Sequence, residues 1–156
     1  MDTPQRTLMR MAWTLGLAGL IPFVGLALIA WGGDAAARGP ATAALVSYGA
    51  IILAFVGALH WGAALVARDL NSTRVALALS WSVMPPLYAW WAVHLSAERA
   101  LAALGFGLIA AWAVDLVLYR HHGAPGLGWF LALRLVLTTV GALSLFAGAL
   151  ALAGRA

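Results

Sequence analysis

Long apolar stretches alternate with short polar breaks along the chain, and their lengths predict membrane-spanning helices. A helix that crosses about 30 Å of hydrocarbon needs roughly 20 residues, and in lipid its backbone must satisfy its own hydrogen bonds. Five stretches reach this length, at residues 9–31, 42–67, 74–95, 98–119 and 128–153. The pattern therefore predicts an all-α polytopic membrane bundle with about five transmembrane helices, which we expect to form a single integral-membrane domain over residues 1–156.

The composition supports a lipid environment and excludes several kinds of chemistry. Hydrophobic residues make up 64% of the chain and charged residues 9%, with a mean hydropathy of +0.95. A soluble domain is about 45–50% apolar, and a soluble fold of this length could not bury the excess. The chain has no cysteine, which excludes disulfides, thiolate catalysis and cysteine-ligated metals.

The arginines are scattered along the chain, and their distribution predicts the orientation in the membrane. Although the net charge is +4, a nucleic-acid partner is not expected, because such a surface would cluster its basic residues. On the side of the N-terminus we count Arg6, Arg10, Arg68, Arg74 and Arg120, and on the other side Arg38, Arg99 and Arg155. Because positive residues favour the cytoplasmic side, we predict a cytoplasmic N-terminus.

His60, Asp115 and Arg134 lie inside the predicted spans and away from the residues at their ends, where lipid disfavours a charge. On insertion scales Asp or Arg at the bilayer centre costs about 2.5–3.5 kcal/mol, so such residues are expected to pair or to face a hydrated cavity. With 1.5 Å of rise per residue, His60, Asp115 and Arg134 each lie about 8–9 Å from their helix midpoints, all displaced toward the cytoplasm. The same half of the membrane holds Ser82, Trp61, Trp81 and Trp112. The sequence thus predicts a polar layer in the cytoplasmic leaflet.

Two interpretations of this layer follow from the residues alone. In the first, Asp115 and Arg134 form a structural ion pair, and His60 donates to a backbone carbonyl or to Ser82. In the second, the layer is a hydrated pocket for a ligand or a proton. The motif "WSVMPPLYAWW" adds to it, because two prolines should break the third span and free carbonyls near Trp81 and Ser82.

No catalytic or metal-binding set emerges from the sequence. Ser82 and His60 could meet, but Arg134 competes for the only acid that could orient the histidine, and no oxyanion hole is evident. The adjacent His121 and His122 have no cysteine or carboxylate nearby to complete a metal site. We therefore favour a protein that is not an enzyme, and we assign it no metal or cofactor.

Four motifs resemble those of the bacterial relatives of transmembrane protein 69. They are "GLIPF" (19–23), "YGAIILAFVGALHWG" (48–62), "WSVMPPLYAW" (81–90) and "WFLALRLVLTT" (129–139), in order along nearly the whole chain. The resemblance implies a small multi-span membrane domain of unknown function, located here in the bacterial inner membrane. By this resemblance, five residues occupy positions of the family motifs: His60, Trp61, Pro85, Trp129 and Arg134. In that family arginine can replace His60, which implies a buried cationic donor rather than a metal ligand.

Two functional hypotheses remain open at this point. In the first, Trp61, Trp81 and Trp112 wall a pocket for a quinone, lipid headgroup or tetrapyrrole. His60 and Arg134 would donate hydrogen bonds to this ligand, while Asp115 holds Arg134. In the second, the chain is a non-catalytic accessory or assembly subunit, with a membrane-protein partner or a second copy of itself. Transport is a weaker third hypothesis, since five spans do not divide into equal repeats.

Overall fold

A computed structural model describes residues 3–66, 72–121 and 128–154, which form six helices and no strand. The helices are α1 (Thr3–Ala18), α2 (Leu20–Gly32), α3 (Ala35–Val66), α4 (Ser72–Ala92), α5 (Ala97–His121) and α6 (Gly128–Ala153). The prediction of an all-α polytopic bundle is confirmed. Arg68, His122 and Arg155, which entered the sequence-based arguments, lie outside the described residues.

Helices α1 and α2 form one apolar stretch with a short break at Gly19. Pro22 has no N–H group, so it cannot donate to the carbonyl of Ala18 one turn earlier. The chain still continues in the same direction, because the N–H of Gly19 donates to Leu15 at 2.9 Å. The hydroxyl of Tyr48 in α3 donates to the carbonyl of Gly19 at 2.8 Å, which fixes the break against the next helix.

Helix α3 begins at Ala35, seven residues before the predicted span. The side chain of Asp34 accepts a hydrogen bond from the N–H of Ala37 at 2.8 Å, and this N-cap starts the helix early. The break predicted over "GGDAAARGPA" is therefore confined mainly to Gly33 and Asp34, and Pro40 lies within the helix.

Helix α4 is continuous through Pro85 and Pro86, so the prediction of a broken helix is wrong. Close packing against α3 accompanies this continuity. A Cβ atom added to Gly57 of α3 would lie 2.7 Å from the carbonyl oxygen of Ser82 and 3.0 Å from Cδ of Pro86. The carbonyl that Pro86 leaves without its helical donor thus lies against a glycine, where α3 can approach closely.

Four helical stretches among the described residues are long and apolar enough to cross a membrane. They are Pro4–Gly32, Ala35–Gly62, Ala97–Val117 and Gly128–Ala153. Helix α4, which corresponds to the predicted third span, is not among them, because its serines, tryptophans and prolines reduce its apolarity. It nevertheless packs within the bundle, where Ala89 and Ala92 belong to the buried core.

The core is apolar, and so is much of the surface. Five leucines from three helices are completely or almost completely buried: Leu45, Leu53, Leu101, Leu104 and Leu145. Large apolar side chains such as Leu15, Ile21, Phe55 and Leu65 are more than half exposed. Such a surface would be unstable in water and is suited to contact with lipid.

Candidate ligand-binding site

Helices α3, α5 and α6 bring His60, Asp115 and Arg134 into direct contact. Nε2 of His60 lies 2.7 Å from Oδ1 of Asp115. Arg134 donates to Oδ2 of Asp115 through Nε at 2.8 Å and through Nη2 at 2.6 Å. The three residues are 5%, 2% and 5% exposed, so this ionic cluster is shielded from the surroundings.

The cluster differs in one contact from the structural interpretation of the sequence. The ion pair between Asp115 and Arg134 is present, and Nε2 of His60 contacts the same carboxylate. The hydroxyl of Ser82 donates to the carbonyl of Leu79 at 2.6 Å, although Ser82 is itself buried. Each oxygen of Asp115 therefore has its own basic partner, and a single carboxylate joins three helices.

Arg134 retains unused hydrogen-bonding capacity beyond this cluster. Its contacts with Asp115 use Nε and Nη2, and a guanidinium has five N–H groups. Within residues 3–66, 72–121 and 128–154, no acceptor is found for Nη1. A guanidinium N–H group that the protein does not use can donate to a ligand, so this side of Arg134 has the chemistry of a binding group.

A cavity of about 370 Å³ opens beside Arg134, between α6 and the first three helices, with one residue of α5 in its wall. Most lining side chains are aliphatic or aromatic, and they include Leu15, Phe23, Phe55, Leu108, Phe130 and Leu137. Arg134 and Thr138 supply the polar side chains among the described lining residues. Binding sites for small molecules typically have this size and this mainly apolar lining with few polar groups.

Thr138 is the second polar group of the cavity, and the sequence analysis did not single it out. It is 5% exposed, and its hydroxyl has no hydrogen-bond partner among the described residues. Other hydroxyls in the bundle donate to the carbonyl one turn earlier, as Ser144 does to Val140 at 2.9 Å. The sequence spacing could have identified Thr138, because it follows Arg134 by one helical turn and lies on the same face of the helix.

The three tryptophans do not line the cavity beside Arg134, although the binding hypothesis placed them in its wall. Trp61 is 48% exposed on the surface of the bundle. Trp81 lines a separate hollow of about 480 Å³ together with Pro85, Tyr88 and Phe106. The indole N–H groups of Trp81 and Trp112 are buried and have no acceptor in the part of the chain that the structure describes.

A metal centre finds no support in the described residues. No group of three or more histidines, cysteines, aspartates and glutamates is close enough to hold a metal ion there. Asp115 is already occupied by His60 on one oxygen and by Arg134 on the other. Arg134 and Thr138, which lie on the cavity wall, can instead donate hydrogen bonds to a polar group.

The fold and the buried ionic cluster define a multi-pass α-helical membrane protein. The chain belongs to the family described as protein of unknown function (DUF3429), whose family model matches residues 8–150. This confirms the family resemblance indicated by the four sequence motifs. The match covers all six helices in whole or in part.

Two similar proteins are both called transmembrane protein 69. The chain is 36% identical to that of Xenopus tropicalis over 136 residues, which cover 84% of this chain and 50% of the relative. It is also 36% identical to that of Mus musculus over 103 residues, which cover 64% of this chain and 39% of the relative. The chain thus spans half or less of the length of these curated relatives. No solved structure matches the chain.

Proposed function

We propose that this protein binds a small amphipathic ligand in the cavity beside Arg134. One observation carries the proposal: Thr138, whose buried hydroxyl has no partner among the described residues, and Arg134, whose Nη1 takes no part in the contacts with Asp115, both lie on the wall of an otherwise apolar cavity. A ligand with an apolar body and an oxygen acceptor would satisfy both groups. Quinones, lipids and tetrapyrroles carry such acceptors.

The ionic cluster would serve this site by holding Arg134 in place. Asp115 binds the inner edge of the guanidinium, which orients the remaining N–H groups toward the cavity. His60 contacts the other carboxylate oxygen and is not among the cavity-lining residues, so we assign it a positioning role. Ser82, Trp61, Trp81 and Trp112 have no assigned contact with this ligand.

We also propose that the protein resides in the bacterial inner membrane with its N-terminus in the cytoplasm. The excess of arginine on the N-terminal side supports this orientation. The resemblance of its motifs to those of bacterial family members supports the location. In this orientation the cavity and the cluster belong to the cytoplasmic leaflet.

A second candidate function is that of a non-catalytic accessory or assembly subunit of a larger membrane complex. The closed contact between Asp115 and Arg134 favours it, because a satisfied ion pair can act as an internal clamp. The cavity and the unpartnered Thr138 hydroxyl favour ligand binding over a clamp alone. A ligand retained in the cavity separates the two functions.

Native mass spectrometry of the gently solubilised full chain tests the proposed function. Ala12 lines the cavity, so Ala12→Phe should fill part of it. Ala18 lies on the same helix but is exposed and does not line the cavity, which makes Ala18→Phe the matched control. We expect a small-molecule adduct on the wild type and on Ala18→Phe, and its loss from Ala12→Phe. A wild-type chain without an adduct would overturn the proposal.

A further inference from the structure

We infer that the ligand of the Arg134 cavity is uncharged and presents a carbonyl oxygen, as a quinone does, rather than a carboxylate or a phosphate. The inference rests on the proposed function and deepens it. It follows from the charge balance of the buried cluster, from the kind of hydrogen-bonding groups on the cavity wall, and from the shape of that wall.

The positive charge of Arg134 is already neutralised within the protein. Asp115 lies 2.6 Å from its Nη2, and both residues are at least nine-tenths buried. The ion pair of Asp115 and Arg134 has no net charge. An anionic ligand would be attracted by Arg134 and repelled by Asp115 behind it, so the second effect would offset part of the first.

An anion would therefore enter the apolar cavity with only partial compensation for its lost hydration. Transfer of an isolated charge out of water is far more costly than transfer of a polar neutral group. A carbonyl oxygen loses much less solvation and still accepts from a guanidinium, which forms strong hydrogen bonds because it is charged. The neutral ion pair thus favours a carbonyl oxygen over an anion.

Both polar groups on the wall can act as hydrogen-bond donors. Arg134 has donors only, and Thr138 can donate through its hydroxyl. No carboxylate, amide or imidazole contributes to the cavity lining among the described residues. The wall is thus matched to an acceptor and offers little to a ligand head that is rich in donors, such as a sugar.

The apolar part of the wall fits a ring with a hydrocarbon tail. Phe23 and Phe130 present aromatic rings to the cavity. Leu15 and Phe55 also line it while being 68% and 60% exposed, so the cavity opens on the lipid-facing surface. A ligand could enter sideways from the bilayer and leave its tail among the lipid chains.

Two probes with the same tail and different heads test this inference. Decyl-benzoquinone presents neutral carbonyls, and decanoate presents a carboxylate. We would add each to the delipidated full chain in detergent and measure binding by equilibrium dialysis and native mass spectrometry. We expect the quinone to bind at least about tenfold more tightly than decanoate.

Thr138 and its neighbour provide a matched pair of variants. Thr138→Val removes the hydroxyl with little change in shape, and it should weaken quinone binding by about two- to tenfold, as expected for one hydrogen bond. Thr139 is exposed and does not line the cavity, so Thr139→Val should bind as the wild type does. Equal effects of the two substitutions would contradict the assigned geometry.

Charge-changing variants should reverse the selectivity. Asp115→Asn leaves the charge of Arg134 uncompensated, so decanoate should gain affinity relative to the quinone. His60→Arg places a permanent positive charge beside Asp115 and should act in the same direction, which provides a second test where Asp115→Asn fails to fold.

The possible outcomes separate this inference from the proposed function. Tighter binding of decanoate than of the quinone to the wild type would overturn the inference and leave ligand binding intact. Binding of neither probe would also overturn it. The adduct on the protein as purified then decides the proposed function independently.

Discussion

Arg134 donates two hydrogen bonds to a single oxygen of Asp115, rather than one to each oxygen. Nε and Nη2 both bind Oδ2, at 2.8 and 2.6 Å. This geometry leaves Oδ1 for a donor from another helix, and it leaves Nη1 directed away from the carboxylate. Oδ1 of Asp115 is thus available to His60, and Nη1 of Arg134 makes no contact with the carboxylate. The predictions below follow from these two groups and from the helix packing around them.

Removal of either member of the ion pair should destabilise the bundle more than removal of both. Asp115→Leu or Arg134→Leu leaves a buried charge without its partner, and each should lower the free energy of unfolding by about 3–5 kcal/mol. The double variant has no such charge, so its loss of stability should be smaller than that of either single variant. Reversible unfolding in mixed detergent and dodecyl sulfate measures this cycle. Additive losses in the double variant would contradict a coupled pair.

The role of His60 should depend on its donor and not on imidazole chemistry. His60→Gln keeps an N–H group near Oδ1 of Asp115 and should retain most of the stability. His60→Leu leaves that oxygen without its donor and should cost about 1–3 kcal/mol. The same unfolding assay compares the two variants. Equal stability of both would show that the contact at 2.7 Å contributes nothing measurable.

Gly57 should tolerate no side chain, whereas a second glycine of α3 should accept one. In Gly57→Ala the new Cβ would meet the backbone oxygen of Ser82 at 2.7 Å, so α3 and α4 would have to separate, at about 1–3 kcal/mol. A Cβ atom at Gly62 meets nothing within 4 Å. Gly62→Ala is the matched control and should be neutral or slightly stabilising.

Labelling of introduced cysteines should establish the orientation and show whether α4 crosses the membrane. Because the chain has no cysteine of its own, Gln5→Cys, Ala36→Cys and Ser96→Cys each give one reactive site. A membrane-impermeant maleimide added to intact spheroplasts should label positions 36 and 96 and spare position 5 until the cells are lysed. Protection of position 96 would show that α4 does not cross the membrane.

Much of the fold could be predicted because a helix that crosses a membrane requires an apolar stretch of about 20 residues, which is visible in the sequence. The polar breaks were less predictable, because one side chain can shift a helix end by several residues. Asp34 caps α3 and moves its start to Ala35. The continuous helix α4 packs at Ser82 and Pro86 against Gly57 of α3, a neighbour that the local motif does not contain.

The site was predictable in depth but not in detail. Helical rise converts sequence position to depth, which placed His60, Asp115 and Arg134 in one layer. The choice of partner for each carboxylate oxygen depends on helix rotation and rotamers, which periodicity does not define. Trp61 illustrates the difference: it shares the depth of His60, but it is rotated about 100° around the helix and lies 48% exposed.

The shared carboxylate also imposes an order on biogenesis. A ribosome delivers α5 before α6, so Asp115 reaches the bilayer 19 residues ahead of the guanidinium that neutralises it. During this interval α5 carries a charge whose insertion costs about 2.5–3.5 kcal/mol. The charge of Asp115 is therefore neutralised by Arg134 only when α6 has packed against α5. Until then, α5 needs the insertion machinery or the imidazole of His60 in α3 to stabilise this charge.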